Sequence, residues 1–420
     1  MAPDLSCGRA MEFAAELVRI PSLSGEEEAV ARRIAEELRA LRFDEVRIDR
    51  AGNVIGRVAG RGGAPPVMLS SHMDVVDVGD ESLWEHAPYA GTLAGGYLHG
   101  RGSMDVKGPL AIQVYAAARF VDERPAGDIV AVFSVYEEKG GWGMMHLMDS
   151  AGLAPGAVIL SEATDCDLCT GHRGHAELAV EIHGVAAHAS APERGRNPNA
   201  VLPHVLLALQ ELSGEQPDHP VLGHATLTPT VVESWPRSGN VIPDRVRITV
   251  DTRVLPGWDE ERAVDEIRAR LARRVPPADG VRVEVLPGRV THRAWTGWTD
   301  EHSNFTPGFL MPDDHPVVRA AAGAVRQATG RTPALRQWKF GTDGGHSCGT
   351  HGVPTIGFAP GVEALAHTNR ECLEVASAQR AFDAYPALIR AVQAVLAPAR
   401  VPVQGMAISR AAAAPLTAPL

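Results

Sequence analysis

VMLSSHMD, residues 67–74, is a short apolar run that ends in two side chains of the kind that bind ligands, His72 and Asp74. Its length and composition predict a buried strand over residues 67–70. In an open α/β sheet, binding sites form outside the carboxyl ends of the strands. A strand that ends abruptly in these residues therefore indicates an α/β fold and the edge at which a site forms.

Two later runs have the same form. IVAVFSVYEE predicts a strand over residues 128–135 and ends in Glu137 and Glu138, and AVILSEAT predicts a strand over residues 157–161 that Glu162 follows. Since the carboxyl ends of parallel strands lie at one edge of a sheet, we expect these carboxylates to converge with the first strand's histidine.

Helical periodicity alternates with these strands. Apolar residues recur every three or four positions over residues 26–41, after a predicted capping box at residues 24–27. A second helix is predicted over residues 109–121, where a proline suits the first turn. Strands that alternate with helices predict an α/β domain around a mostly parallel central sheet.

The pattern changes near residue 174. From residue 175 to residue 287, strands and two helices form a compact unit of their own, which predicts a smaller α+β domain inserted into the first. The first domain is then discontinuous and covers residues 1–174 and 288–397, ending in a helix over residues 376–396. The proline-containing tail, residues 398–420, is predicted to be disordered.

Composition excludes several classes of protein. Lysine and arginine total 40 against 51 aspartates and glutamates, and the net charge of −11 has the wrong sign for a nucleic-acid partner. No apolar run approaches the roughly 18 residues of a membrane helix, and the start of the chain lacks the pattern of a secretory signal. Five cysteines argue against a disulfide framework. We therefore expect a cytoplasmic protein with no membrane partner.

Two more segments complete a set of metal-binding side chains. GRGSMDVKG, residues 100–108, places Asp105 in a glycine-rich loop, and His367 follows a late strand. Imidazoles and carboxylates together suit one or two divalent ions of the zinc, cobalt or manganese kind, with an open coordination position. Of the adjacent Glu137 and Glu138, one can bind metal while the other acts on a bound water as general base.

In this order the motifs resemble the zinc-dependent amidohydrolase family of aminoacylase, acetylornithine deacetylase and succinyl-diaminopimelate desuccinylase, with related exopeptidases. The resemblance runs from about residue 10 to residue 395. It implies two metal ions bridged by Asp105. It also implies that His72 and Glu162 complete one metal site, and that Glu138 and His367 complete the other.

The resemblance also implies roles for other residues. Glu137 is the general base and acid, and Asp74 holds the ring of His72. In the inserted domain, which resembles the family's lid or dimerisation domain, His188 reaches the substrate carbonyl. Asn240 and Arg253 stand at positions that contact substrate. In dimeric relatives the lid histidine enters the partner's site, so a homodimer through this domain is the matching expectation.

The expected function is hydrolysis of the amide bond of an N-acyl amino acid by metal-activated water, with Glu137 as base. Zinc is the expected metal, and cobalt or manganese are the alternatives. An exopeptidase that acts on di- or tripeptides would use the same metals and base. A non-catalytic metal-binding homologue is an alternative of another class, which typically lacks the base or a ligand, whereas this chain keeps them all.

Overall fold

The computed structural model describes residues 3–150 and 152–397. The tail predicted to be disordered, residues 398–420, lies outside the described residues. The α-helices of the described part are α1 (Cys7–Val18), α2 (Glu28–Ala40), α3 (Lys107–Ala118), α4 (Trp142–Ser150), α5 (Leu202–Gly214), α6 (Glu260–Arg274), α7 (Pro316–Thr329) and α8 (Val375–Leu396). The strands of its two large sheets are β1 (Glu45–Ile48), β2 (Val54–Val58), β3 (Val67–His72), β4 (Ile129–Ser134), β5 (Ala157–Leu160), β6 (Leu168–Cys169), β7 (Gly174–His183), β8 (Thr226–Trp235), β9 (Arg245–Val254), β10 (Arg282–Pro287), β11 (Phe305–Thr306), β12 (Leu335–Arg336) and β13 (Thr355–Gly357).

The first sheet has the strand order β1-β2-β4-β3-β5-β13-β6-β12. Its central strands β4, β3, β5 and β13 run parallel, and β1 and β2 extend it in antiparallel fashion at one edge. Every residue of β3, β4 and β5 is buried, which is typical of parallel strands with helices on both faces. The predicted α/β domain with a mostly parallel central sheet is confirmed.

Helices α1, α3, α7 and α8 form one packed group, in which α1 contacts α3 and α8, and α7 lies along α8. α3 and α8 agree with the helices predicted over residues 109–121 and 376–396 to within a few residues. α1 and α4 are absent from the sequence-based prediction, although Ser6 is a readable N-cap that accepts the N–H of Arg9. Within residues 3–150 and 152–397, no helix has the length and apolar character that crossing a bilayer requires.

The capping box predicted at residues 24–27 is wrong. Helix α2 begins at Glu28, and no side chain caps its first turn. Ser24 instead donates from Oγ to Oδ2 of Asp74 at 2.7 Å, and Oε1 of Glu27 accepts the N–H of Gly25 at 2.9 Å. The side chains of Ser24 and Glu27 therefore make hydrogen bonds outside the helix, and a local sequence pattern does not reveal such contacts.

The second sheet is antiparallel, with the order β8-β9-β7-β10 and with β11 paired to the start of β7. Buried and half-exposed residues alternate along β9, since one face of the sheet packs on helices. α5 contacts β8 and α6 contacts β10, and this unit has a hydrophobic core separate from that of the first sheet. The inserted α+β unit is confirmed, whereas its boundaries at residues 175 and 287 stay a prediction.

We expect the core of the inserted unit to contribute measurably to stability. Val250 in β9 is fully buried, whereas Val232 in β8 is 48% exposed. Val250→Ala should lower the free energy of unfolding by about 2 kcal/mol, because it removes buried methyl groups and leaves a cavity. The matched change Val232→Ala should cost less than about 0.5 kcal/mol. Chemical denaturation of both variants measures the difference. Equal losses of unfolding free energy would contradict the assignment of the Val250 side of β9 to the core.

Candidate metal centre

The carboxyl ends of β3, β4 and β5 lie side by side at one edge of the first sheet. His72 ends β3 and stands opposite Ser134, the last residue of β4. Glu137 and Glu138 lie on the short turn that follows β4, and Glu162 lies two residues beyond the end of β5. The three segments converge as predicted, because neighbouring parallel strands end at the same level of the sheet.

Asp105 stands between two histidines from distant parts of the chain. Its Oδ1 lies 3.2 Å from Nε2 of His72, and its Oδ2 lies 3.3 Å from Nε2 of His367. Each carboxylate oxygen therefore faces a different imidazole. This is the arrangement expected of a carboxylate that bridges two adjacent metal ions.

Glu162 and Glu138 complete the cluster on its two sides. Oε1 of Glu162 lies 3.5 Å from Nε2 of His72, and Oε1 of Glu138 lies 3.1 Å from Nε2 of His367. The ligand atoms of His72, Asp105 and Glu138 all lie within 4.8 Å of one another. The structure thus brings together all five side chains predicted as metal ligands, while their role as ligands stays a proposal.

Glu137 lies in the same cluster but faces a different group from its neighbour Glu138. Its carboxylate forms a second compact set with His72 and Glu162, in which the ligand atoms lie within 4.8 Å of one another. Burial, reinforced by the charge of Glu162, raises the pKa of Glu137 well above its ordinary value. A carboxyl group in this environment has the raised proton affinity that a general base requires.

The cluster concentrates buried negative charge. Burial raises the pKa of Glu162 to about 8. Burial also disfavours the charge of Asp105, but hydrogen bonds with His367 and His72 outweigh it and hold the pKa of Asp105 below its ordinary value. Hydrogen bonds with Asp105 and Glu138 raise the pKa of His367 to about 10. These hydrogen bonds favour the charged form of His367, and bound divalent cations would supply the positive charge at the cluster instead.

Asp74 contacts the ring of His72 through its backbone and not through its carboxylate. Nδ1 of His72 donates to the backbone carbonyl of Asp74 at 2.8 Å, whereas Oδ1 of Asp74 is 3.7 Å from that nitrogen. The carboxylate instead accepts the N–H groups of Glu137 at 3.0 Å and of Glu138 at 3.2 Å. Buried N–H groups require acceptors, and the turn after β4 presents two of them to this side chain. Asp74 therefore orients the ring through its backbone and the glutamate pair through its carboxylate.

A cavity of about 380 Å³ opens over the cluster, and Arg253, His175, Phe340 and Glu363 contribute to its outer wall. Asp251 orients Arg253 by accepting from its Nε at 3.1 Å and its Nη2 at 3.3 Å. Nε2 of His175 lies 3.0 Å from the same carboxylate. The side chain of Arg253 stays 39% exposed, so its guanidinium is accessible to an anion in the cavity.

The structure does not bring His188 and Asn240 to this cavity. Both residues are exposed. They lie close to each other where the short strands Ala187–His188 and Val241–Ile242 pair, and the backbone carbonyl of Asn240 accepts the N–H of Ala189. Nδ1 of His188 accepts from Oγ of Ser190 at 2.7 Å. Their predicted roles at the substrate stay predictions.

Glu371 is a buried carboxylate absent from the sequence-based prediction. Its Oε1 accepts the N–H groups of Met104 at 3.1 Å and of Asp105 at 3.2 Å, and its Oε2 pairs with Arg101 at 2.5 Å. Burial raises the pKa of Glu371 to about 7. These contacts fix the loop that carries Asp105. The available signal is the segment AHTNRE, in which Glu371 follows His367 by four residues.

Asp343 is a second carboxylate that the prediction missed. It lies in the glycine-rich run GTDGG, residues 341–345, and is buried. Its Oδ2 accepts from Oγ of Ser134 at 2.8 Å, and its Oδ1 has no hydrogen-bond partner in the described part of the chain. Burial raises the pKa of Asp343 to about 7, and its charge contributes to the raised pKa of Glu137. A lone carboxylate among glycines was the readable signal.

Known proteins share this sequence pattern and fold. The pattern of Peptidase family M20/M25/M40 matches residues 68–391. Uncharacterized protein YgeY of Escherichia coli (strain K12) is 33% identical over 362 residues, which cover 86% of this chain and 88% of that protein. Succinyl-diaminopimelate desuccinylase of Paracoccus denitrificans (strain Pd 1222) is 31% identical over 338 residues, which cover 77% of this chain and 83% of that protein.

A solved structure extends the likeness to the fold. The Bacillus subtilis YXEP protein, described as a dinuclear metal binding peptidase from the M20 family, superposes with a TM-score of 0.66 at 16% identity, covering 92% of this chain and 98% of that one. The family pattern spans all five predicted metal ligands. The predicted resemblance to amidohydrolases that include succinyl-diaminopimelate desuccinylase is confirmed. The chain therefore belongs to peptidase family M20/M25/M40, whose members are metallohydrolases that cleave amide bonds.

Proposed function

We propose that this protein hydrolyses the amide bond of an N-acyl amino acid. The arrangement of Asp105 carries the proposal, since one carboxylate oxygen faces His72, the other faces His367, and Glu137 lies in the same cluster. Similarity to a succinyl-diaminopimelate desuccinylase supports an acylated amino acid as the class of substrate. The products would be a carboxylic acid and a free amino group.

The donor set fits two divalent ions. We assign one ion to His72, Asp105 and Glu162, and the other to Asp105, Glu138 and His367. The four carboxylates of the cluster carry four negative charges when all are ionised, and two divalent cations balance that charge. Mixed imidazole and carboxylate donors suit zinc, with cobalt or manganese as alternatives. Such ions supply Lewis acidity, which polarises a carbonyl oxygen and makes a water more acidic.

Glu137 carries the proton in this scheme. Its carboxylate takes a proton from the attacking water and returns it to the leaving nitrogen, so that the amine departs as a neutral group. Glu137 suits both steps by its position, because its carboxylate lies within 4.8 Å of the ligand atoms of His72 and Glu162. Asp74 fixes the backbone of Glu137 and Glu138 by accepting both of their N–H groups.

Arg253 is our candidate for binding the carboxylate of the substrate's amino-acid part. It lines the cavity, and its planar guanidinium can form two parallel hydrogen bonds with a carboxylate. Asp251 holds this side chain in place. His188 and Asn240 lie outside the cavity, so a role for them at the substrate carbonyl requires domain closure or a second copy of the chain.

An exopeptidase acting on di- or tripeptides is the second candidate. A cavity of about 410 Å³ shares Glu363 with the cavity over the metal cluster. Because Glu363 lines both cavities, a substrate longer than a simple acyl amino acid would extend past this residue. Because the same cluster and base serve both reactions, only a substrate screen across acetyl-, succinyl-, formyl- and peptidyl-amino acids separates them.

Removal of the proposed base should abolish turnover without loss of metal. We expect Glu137→Ala and Glu137→Gln to lower kcat by at least about 100-fold, because no other group takes the proton from water. Elemental analysis of the same samples should show the metal content of the unaltered protein. Glu26, an exposed glutamate, provides a matched control, and Glu26→Ala should keep full activity. Equal turnover in the Glu137 variants and the unaltered enzyme would refute the mechanism.

Metal stoichiometry tests the assignment of ligands. We expect two ions per chain, loss of activity after exhaustive chelation, and recovery when zinc, cobalt or manganese is added back. Asp105→Ala should weaken the binding of both ions, whereas His367→Ala should leave one ion bound, because only Asp105 contributes to both sites in our assignment. Full activity in chelated protein, or identical metal loss in both variants, would contradict it.

Arg253→Lys should reveal the carboxylate partner. We expect kcat/KM to fall about tenfold for substrates with a free carboxylate and much less for the corresponding primary amides, since lysine cannot reproduce the two parallel hydrogen bonds. Matched pairs of acyl amino acids and their amides provide the comparison. The same fold-loss on acids and amides would remove this role from Arg253.

A further inference from the structure

The turn that carries the proposed base has an unusual backbone. Tyr136, directly before Glu137, adopts a left-handed conformation with φ of 55°. A bulky aromatic residue rarely occupies this region, and such a conformation persists only where surrounding contacts hold it. The orientation of Glu137 therefore depends on whatever fixes this turn from outside.

Glu27 is one of those contacts. Its Oε1 accepts the N–H of Tyr136 at 3.3 Å and the N–H of Gly25 at 2.9 Å. The far end of Tyr136 is fixed as well, because its hydroxyl donates to the backbone carbonyl of Arg293 at 2.7 Å. Glu27 thus reaches the turn from a segment more than 100 residues earlier in the chain.

Ser24 supports the same turn through Asp74. Its Oγ donates to Oδ2 of Asp74 at 2.7 Å, and the two oxygens of Asp74 accept the N–H groups of Glu137 and Glu138. Asp74 is fully buried, so its orientation is set by these protein partners rather than by solvent. Ser24 is therefore connected to the backbone of the proposed base through two hydrogen bonds and one residue, Asp74.

Gly25 lies between Ser24 and Glu27 and allows this segment to approach Tyr136 closely. Its φ is +91°, and a Cβ atom at this position would lie only 2.4 Å from the hydroxyl oxygen of Tyr136. A glycine is needed for the segment to approach the turn so closely. The sequence Ser24-Gly25-Glu26-Glu27 is thus shaped by contact with residues 136–138 and not by capping of α2.

The burial of Glu27 indicates that this side chain does more than stabilise the fold. The residue is fully buried, no cation pairs with it in the described part of the chain, and its Oε2 has no hydrogen-bond partner there. A buried, half-satisfied carboxyl costs stability compared with an apolar side chain of similar size. Its contribution is the acceptor that it provides to Tyr136 and Gly25.

We propose that Ser24 and Glu27 are positioning residues, which hold the turn at Tyr136 so that the carboxylate of Glu137 points at the reacting water. This inference rests on the proposed function of Glu137 and adds two distant residues to it. Neither residue touches substrate. Their effect passes through hydrogen bonds to the backbone of residues 136–138.

The test compares Ser24→Ala, Glu27→Ala and Glu27→Gln with Glu26→Ala in the metal-loaded full chain. We expect Ser24→Ala and Glu27→Ala to lower kcat by about 10- to 100-fold with KM changed less than about threefold, since misplacement of a catalytic group affects the chemical step. Glu27→Gln should stay within about threefold of the unaltered enzyme, because its amide oxygen accepts the same two N–H groups. Glu26 has an exposed side chain outside these hydrogen bonds, and its variant should match the unaltered enzyme.

Hydrogen exchange provides a readout that does not need turnover. In Ser24→Ala and Glu27→Ala, the amides of residues 136–138 should exchange at least about tenfold faster, while those of β9 in the separate core stay unchanged. Unchanged exchange at the turn in these variants would overturn the proposal, as would an unaltered kcat. A Glu27→Gln variant as impaired as Glu27→Ala would also overturn it, because hydrogen-bond acceptance would then not be the cause.

The two proposals fail in different ways. If the unaltered enzyme hydrolyses none of the amides in the screen, the proposed function fails, and exchange at residues 136–138 still tests the support of the turn. If Ser24→Ala and Glu27→Ala leave exchange at residues 136–138 and kcat unchanged but lower the unfolding temperature, the residues serve stability alone and the positioning role is refuted.

Discussion

One carboxylate, Asp105, lies between two imidazoles, and this contact joins the parts of the chain on which the candidate site depends. His72 comes from the end of a central strand and His367 from a loop almost 300 residues later, and each faces its own oxygen of Asp105. Like charges gather around this point, because Glu138 and Glu162 lie beside the histidines. Burying several carboxylates close together is energetically unfavourable unless cations lie beside them. This requirement suits the cluster to metal-dependent chemistry.

Two further buried carboxylates hold the loops that carry the cluster, by accepting backbone N–H groups of those loops. Glu371 accepts two of them from the loop of Asp105, and Asp74 accepts two from the turn of Glu137. A buried carboxylate that accepts two backbone N–H groups in this way fixes the orientation of the loop that donates them. Glu27 acts in the same way, because it accepts the N–H of Tyr136, so three buried carboxylates fix the backbone of the two loops that carry Asp105 and Glu137.

Much of the fold is readable from periodicity. The runs that end in His72, Glu137 and Glu162 become neighbouring strands, and the helices after residues 109 and 376 form within a few residues of the predicted bounds. Errors arose where a polar residue has two uses. The segment at residues 24–27 has the pattern of a capping box, but its side chains bind groups far along the chain, and no local pattern distinguishes the two uses. Asp74 contacts the ring of His72 through its backbone carbonyl, while its carboxylate accepts two backbone N–H groups, and no sequence pattern shows this division.

The amino-acid sequence by itself determined the fold class and the residue types of the metal cluster, because strand ends and ordered ligand motifs are local features that parallel topology brings to one edge. The family resemblance of the sequence implied a substrate contact for Arg253, which stays a proposal, and that residue lines the cavity over the cluster. Tertiary structure alone decided which oxygen of Asp105 faces which histidine, and that His188 and Asn240 stand apart from the cavity. Only the tertiary structure shows the hydrogen bond between Glu27 and Tyr136 and the one between Glu371 and Asp105. The reason is physical: a hydrogen bond between segments 100 or more residues apart depends on how sheets and helices pack, and no spacing along the chain records that packing.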